Sequence, residues 1–583
     1  MVDPVLALDS ILRRAVHAAL GLEQDPQVRR STRADIQADI APQLARSLGQ
    51  KAEDIAARIV AAIPANELID RVVVAPGGFL NVTVKAAWLG AAVMQVAADE
   101  RLAVPRATGE RIVVIDYSSP NIAKELHVGH LRSTVIGDAI ARVLEFLGHT
   151  VVRQNHVGDW GTPFGMLIEH LVDTGEDTAL HALGLGELST FYRAAREKFD
   201  ADPAFADRAR QRVVALQAGD AQTLAWWRVL VDQTTGYMRG VYERLGIGLR
   251  ESDIRGESFF NDRLTPLAKE LEASGRGVTS DGALCLFPAG FTNRDGNPLP
   301  LIVRKRDGGY GYATTDLAAI RYRLTELRAM RLIYVVGATQ AQHLAMVFAS
   351  ARDLGWLVPP ALVEHVGFGL VLGPDKKKLA SRDGSPPRLV DLIDQAIAAA
   401  SSAIDALEAE RAKRQPDFVP LPAELRTDVA RMVGVGSIKY ADLSADRMKD
   451  YVFNLERMVK FEGNTAGYAQ YVHARVRAIF RNAGDATPGA IQIDDPHERA
   501  LALQLASFGT TLTSLAGTLQ PHYLVSYTFQ LAVAFTAFYE HCPILRSDVT
   551  PAVRASRLAL AEVTGRTMAR ALDLLGIEAP ERM

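Results

Sequence analysis

Cysteine is nearly missing from this chain, with two thiols, Cys285 and Cys542, in 583 residues. So few, so far apart, exclude a disulfide framework and a zinc site built mainly from thiolates, and predict two buried, reduced side chains. An uninterrupted apolar run of roughly 18 residues is lacking too, so no helix is expected to span a membrane. The N-terminus MVDPVLALDSILRRAV has acidic residues near its start and no apolar stretch with a cleavage site, so no secretory leader is expected. Nor is there an excess of one charge. The formal net charge is −3, so any nucleic-acid surface must be a local basic patch. No G-x-x-x-x-G-K-[ST] phosphate loop occurs, which removes the commonest alternative ATP site. Internal repeats and low-complexity tracts are absent.

What is present suits an ordinary globular protein, with 48% hydrophobic and 23% charged residues. The length is too great for one core and predicts several domains. Residues 1–105 read as a small α/β module. Leu6, Leu8, Ile11, Leu12, Val16 and Leu20 fall on one helical stripe, and DRVVVAPGGFLNVTV reads as strand, turn at Pro76-Gly77-Gly78, strand. A helix from near Ala86 closes the module and LAVPRATGER links it onward. Residues 106–400 open a doubly wound parallel sheet. RIVVIDY is a short apolar strand, SSPNIAKELHVGH a loop, and Leu131, Val135, Ile136, Ala139, Ile140, Val143, Leu144 and Leu147 a helical stripe ended by Gly148. TVVRQNHVG restarts as a strand, with further strands at LIYVVG and HVGFGLVLG and a mostly helical insertion around 165–300. From about residue 390 the pattern is helical. ERAKRQPDFVPLPAEL marks the clearest break, and 401–583 read as an all-α bundle.

Two segments carry chemistry. His127-Val128-Gly129-His130 lies between strand end and helix start, where ligands of an open parallel sheet bind. A helix N-terminus attracts phosphate oxygens, two imidazoles there can donate to an α-phosphate, and Gly129 leaves room for adenosine against the backbone. An isolated H-x-G-H is more often two locally satisfied loop histidines, and the strand–loop–helix context reverses those odds. The second segment is Lys376-Lys377-Lys378-Leu379-Ala380-Ser381-Arg382-Asp383-Gly384. Three adjacent lysines are more often a solvated run. Paired with the first segment they read as a basic loop closing on β- and γ-phosphates. Lys124 lies in the first loop, within reach of a phosphate or simply on the surface. Gly367-Phe368-Gly369 reads as close backbone approach, to a flat adenine ring.

SSPNIAKELHVGHLRSTVIGDA, followed by NHVGDWGTPFG, LIVRKRDGGYGYATTDLAAIRYRL, VVGATQAQHLAMVF, HVGFGLVLG, CPILRSDV and the terminus LLGIEAPERM, resembles the arginyl-tRNA synthetases over nearly the whole chain. The resemblance implies a class I fold. It comprises a Rossmann-type catalytic domain with a helical insertion, a small N-terminal domain touching the tRNA elbow, and an all-α anticodon-binding bundle. HVGH then corresponds to the HIGH motif, and Lys378 to Arg382 hold the KMSKS position. Ser381 replaces its second lysine, and Lys124 matches the upstream lysine thought to substitute in the family. ATP contacts are implied at Lys124, His127, Gly129, His130, Lys378 and Arg382. An arginine pocket is implied at Asp116, Ser119, Asn121, Tyr312, Asp316 and Gln340. A planar, permanently charged guanidinium wants carboxylates that accept in pairs, which Asp116 and Asp316 would supply. From sequence alone Asp316 is equally a helix N-cap. The resemblance also implies tRNA contacts at Tyr468, Tyr471, Arg475, Tyr539 and Met583, and at Phe79 and Asn81 for the elbow. For either of the first two tyrosines alone, a core-facing position is the commoner case.

The implied reaction is ATP- and Mg2+-dependent activation of L-arginine to arginyl-adenylate, then transfer to the 3′-terminal ribose of tRNA(Arg), with tRNA needed before activation proceeds. No protein-held metal is expected. A cytoplasmic monomer is. Three rivals share part of the signal. They are a nucleotidylyltransferase acting on a small molecule, a catalytically silent tRNA-binding relative, and a class I synthetase for another amino acid.

Overall fold

The computed structural model describes residues 2–109, 111–122, 125–175, 188–380, 386–415 and 418–583. In the N-terminal module Leu8, Ile11, Leu12 and Val16 are buried along helix Pro4–Leu20, with Leu6 and Leu20 at the open edges of the stripe. Asp3 caps this helix by accepting from the Val5 N–H at 2.8 Å. The sheet is antiparallel, in the order Val28–Arg30, Ile36–Ala38, Phe79–Val84, Ile69–Ala75. The last two strands meet at the predicted turn, where Gly77 and Gly78 have φ of 84° and 82°. Helix Ala86–Ala98 then docks the module on the C-terminal bundle. Arg30 donates to the Leu503 carbonyl at 2.7 Å, Arg499 pairs with Asp35 at 2.8 Å, and Arg566 donates to the Asp99 carbonyl at 2.7 Å.

The catalytic sheet is wholly parallel, in the order Leu362–His365, Arg331–Tyr334, Ile112–Asp116, Thr150–Gln154. From the two central strands the chain winds outward in opposite directions, by helix Val128–Phe146 on one side and helix Ala341–Asp353 on the other. Their carboxyl ends therefore bound a crevice, where open α/β sheets take ligands. HVGFGLVLG is not one strand. Its ends belong to Leu362–His365 and to Val371–Leu372, which pairs with Tyr451–Val452. Gly369 approaches protein rather than leaving space for a ring, since a Cβ there would lie 2.9 Å from the Lys449 backbone.

Within the insertion, helices Thr162–Thr174, Leu188–Ala201, Pro203–Gln217 and Ala221–Leu245 match the helical expectation. A three-stranded antiparallel sheet, Val278–Ser280, Ala283–Leu286 and Leu301–Arg304, departs from it. Helix Leu389–Arg414 runs from the catalytic sheet into the bundle, across residue 400. Arg132, buried on helix Val128–Phe146, holds the two parts together. It lies 3.5 Å from Asp442 and donates to the Lys449 carbonyl at 3.0 Å. Both cysteines are buried, and among the described residues no helix is long and apolar enough to cross a membrane.

Candidate active site

Helix Val128–Phe146 begins inside the HVGH segment, and its two histidines cap each other. His127 is the N-cap, and its Nδ1 accepts from the Gly129 N–H at 3.0 Å. His130 Nδ1 accepts from the His127 N–H at 3.1 Å, completing a capping box built from imidazoles. The rings lie 4.0 Å apart, tilted by 37°. With Nδ1 accepting in both, each neutral ring carries its proton on Nε2, the tautomer that donates. A Cβ on Gly129 would fall 2.7 Å from the His127 ring, so glycine there serves the cap as well as any ligand.

The lysine segment is a hairpin. Gly373 N–H donates to the Lys377 carbonyl at 2.8 Å and Leu379 N–H to the Val371 carbonyl at 3.1 Å, leaving Lys376, Lys377 and Lys378 exposed. Arg382 and Ser381, like Lys124, lie outside the described residues. Where the chain is next described it is stitched to the HVGH entrance. Val128 N–H donates to the Pro387 carbonyl at 3.0 Å, Leu389 N–H to the Leu126 carbonyl at 2.8 Å, and His127 and Arg388 form an antiparallel bridge. The HVGH entrance and the start of the segment 386–389, some 260 residues apart in sequence, are therefore held side by side.

Asp116 ends the central strand. Burial would lift its carboxyl, but Arg323 and His156 hold it below the ordinary value. Arg323 donates to Oδ2 at 2.7 Å and to Gln154 at 2.7 Å, and Ser119 donates to Oδ1 at 2.7 Å. A resident guanidinium thus takes one oxygen of Asp116 and a serine hydroxyl the other. Asp116 and Asp316 therefore differ in their surroundings, since a carboxylate as deeply buried as Asp116 requires a cation of its own. Ser118 and Ser119 follow in left-handed backbone, φ 69° and 45°, a strained pair of the kind found at functional sites. Asn155 Oδ1 accepts from the Ser119 N–H at 2.9 Å. Asn121 makes a one-residue bridge to Gly158, where a Cβ would lie 2.3 Å from its Oδ1.

The opposite wall is helix Tyr312–Thr325. Its N-cap is Gly311, so Asp316 is inside the helix and the capping alternative falls. Asp316 Oδ2 lies 2.6 Å from His343 Nε2, and no arginine among the described residues pairs with it. Tyr312 is 75% exposed at the first turn, and Gln340 is exposed at the end of the 3-10 turn Ala338–Gln340. Sequence reasoning missed Glu257, in the 3-10 turn Glu257–Phe260. Burial first, then Asp159 and Asp316, push its carboxyl up to about 8. Asp159, behind it, accepts from the Ser258 N–H at 2.8 Å. A lone glutamate in RGESFF carries no periodic signal, so only the tertiary structure reveals it.

The remaining candidates divide. Tyr471, Arg475, Tyr539 and Met583 come together in the bundle. The Arg475 guanidinium stands 4.6 Å from the Tyr471 ring and 5.0 Å from the Tyr539 ring, and the unpredicted Arg411 reaches both the Tyr471 ring, at 5.2 Å, and the Met583 carbonyl, at 3.1 Å. Tyr468 points elsewhere, its hydroxyl 2.8 Å from Thr536. Phe79 and Asn81 share the outer face of the N-terminal sheet, with Gln37 donating to Asn81 at 2.9 Å.

Comparison with known proteins agrees along the whole chain. Residues 92–455 match the family described as tRNA synthetases class I (R), catalytic domain. Residues 469–583 match the DALR anticodon binding domain, and residues 7–84 the arginyl tRNA synthetase N terminal domain. A protein of Thermobifida fusca named arginine–tRNA ligase is 49% identical, with 100% of each chain covered. One of Pseudomonas aeruginosa with the same name is 47% identical over 97% of this chain and 96% of its own. The crystal structure of arginyl-tRNA synthetase from Plasmodium falciparum superposes with a TM-score of 0.83 at 27% identity, covering 99% of both chains. With its ATP-binding class I fold, its helix mouth of paired histidines and its full-length relatives, the chain belongs to the arginyl-tRNA synthetases.

Proposed function

We propose that this arginine–tRNA ligase grips ATP at the His127–His130 helix mouth and clasps the arginine guanidinium against the wall formed by Asp316 and Glu257. The observation that supports this reading is the stitch between Leu126–Val128 and Pro387–Leu389, which holds the segment after the lysine motif beside the histidines. His127 and His130 donate through Nε2 to the α-phosphate, and the N-terminus of the helix they cap adds its dipole. Lys378 neutralises the departing pyrophosphate, together with Lys124 and Arg382, carried over from the family pattern. Ser119, Asn121 and Gln340 take the α-carboxylate and α-amino groups, Tyr312 closes over the side chain, and Asp116 acts by holding Ser119.

The arginine carboxylate attacks the α-phosphorus in line, pyrophosphate leaves, and the 2′-hydroxyl of the terminal tRNA ribose then displaces AMP from the adenylate. Catalysis is positioning and charge stabilisation, without a covalent enzyme intermediate. Mg2+ fits as a guest of the nucleotide. Among the described residues the one tight group of potential ligands is Asp495, His497 and Cys542, in the bundle, so phosphate oxygens and water would hold the ion in the crevice and it would supply charge neutralisation.

Tyr471, Arg475, Tyr539 and Met583 form the anticodon surface with Arg411, stacking unpaired bases and holding phosphates. Tyr468 supports that surface from the bundle side, and Phe79 and Asn81 contact the tRNA elbow. The functional division is 1–105, 106–400 and 401–583, in a cytoplasmic monomer that activates arginine only with tRNA bound. ATP–pyrophosphate exchange with each amino acid, with and without total tRNA, tests the reading. Exchange with arginine alone among the amino acids, and only with tRNA present, is expected. Exchange with another amino acid, or none at all, overturns it.

A further inference from the structure

We propose that His343 is a positioning residue of the arginine pocket, whose imidazolium neutralises Asp316 while the pocket is empty and sheds one proton to solvent when a guanidinium arrives. This rests on the reading of Asp316 as a guanidinium acceptor.

His343 stands in the first turn of helix Ala341–Asp353, on the strand side of the crevice, with Nε2 2.6 Å from Asp316 Oδ2. Its side chain is 30% exposed and that of Asp316 18%, so the pair is reached by solvent rather than sealed in the core. Two features of the site oppose a positive ring. One is partial burial, and the other is the positive end of the helix that carries it. Among the described residues only the hydrogen bond and charge of Asp316 favour it, and they prevail, holding the imidazole above its ordinary value. The other titratable groups facing Asp316 are the hydroxyl of Tyr334, from the central strand, and Glu257, which itself feels Asp159. None of these supplies His343 with a second anion.

A guanidinium reaching Asp316 Oδ1 removes that single support and adds a like charge beside the ring. The balance then turns. The Nδ1 proton leaves to solvent, while Nε2–H stays and continues to donate to Oδ2, so Asp316 remains oriented with one oxygen toward the substrate. The pocket never holds a bare buried carboxylate, and never two cations on one.

Aminoacylation of total tRNA at varied arginine, over a pH series, tests this with Glu257→Gln as the background, so that Glu257 does not titrate. In that background KM for arginine is expected to fall about tenfold per pH unit on the acid side of the His343 titration, as for one proton released per arginine bound. Adding His343→Gln, which keeps an N–H donor but cannot charge, is expected to flatten KM across that window with kcat within about twofold. His343→Ala is expected to raise KM at every pH. Calorimetry of arginine binding in two buffers of different ionisation enthalpy, in the same Glu257→Gln background, gives a second readout, with proton release when His343 is present and none in His343→Gln. An unchanged pH slope or unchanged proton release in His343→Gln overturns the proposal, as does a loss confined to kcat. Asp316→Asn separates the two readings. If it leaves KM for arginine unmoved, Asp316 itself is not the acceptor, whereas a raised KM with a pH slope indifferent to His343 refutes the role of His343 alone.

Discussion

The two walls of the crevice present carboxylates of opposite kinds. Asp116 is saturated, with Arg323 on one oxygen and Ser119 on the other, and it ionises readily because its cation is built in. Among the described residues Asp316 and Glu257 have no resident arginine. One leans on a histidine and the other keeps its proton up to about 8. A carboxylate that the fold has already paired is scaffold. One left underpaired at a crevice is waiting for a cation from outside. The family pattern marks Asp116 and Asp316 alike, and the structure separates them.

The sharpest way to break the comparison is to remove the resident cation. Arg323→Ala leaves Asp116 buried and unpaired, and is expected to destabilise the fold by about 3–5 kcal/mol, read as a lowered Tm and denaturation midpoint. Asp316→Asn is expected to leave the Tm nearly unchanged and to raise KM for arginine by about 100-fold, the scale of a desolvated charge pair losing one partner. Equal loss of stability in both variants would erase the distinction between the walls.

Glu257 gives a subtler contrast. Its proton is held in the empty pocket, and an arriving cation favours its loss, so raising the pH through about 8 ionises it and should tighten arginine binding. In Glu257→Gln the gain between neutral and alkaline pH should vanish, while KM at neutral pH changes by about tenfold or less. For stability the sign is reversed. The folded-state value is raised, so the stability Glu257 lends is complete below the ordinary carboxylate range and is lost as pH rises through about 8. Arginine should therefore raise the Tm most at alkaline pH. Smallest of all, Tyr539→Ala is expected to raise KM for tRNA by about fivefold with pyrophosphate exchange at saturating tRNA unaffected, since a rim-exposed stacking ring is worth about 1 kcal/mol.

The sequence carried the helices and the histidine mouth plainly, because stripes such as Leu131 to Leu147 and a loop between strand and helix are local signals. It carried the N-terminal hairpin through Gly77 and Gly78. It also held an unread signal for the small sheet of the insertion. Asp281-Gly282, both with positive φ, join strands Val278–Ser280 and Ala283–Leu286, as an Asp-Gly hairpin turn would. Its strands, only three or four residues long, gave no period to read. Pairings such as Arg323 with Asp116, 207 residues apart, and the buried state of Glu257 lie beyond any local pattern. The divergence of Tyr468 from Tyr471 has the same origin, since three positions along one helix point the two rings at different neighbours.

The helix Leu389–Arg414 is anchored at its first residue to the entrance of HVGH and near its last turn, through Arg411, to Tyr471 and the terminal Met583. Twenty-six residues of uninterrupted helix make a rod about 39 Å long. Such a rod does not bend cheaply, so under the proposed function a base on the ring of Tyr471 and a phosphate beside His127 would press on the two ends of a single lever. Sensing the right tRNA at the far tip and readying the near tip for chemistry would then be two views of one displacement.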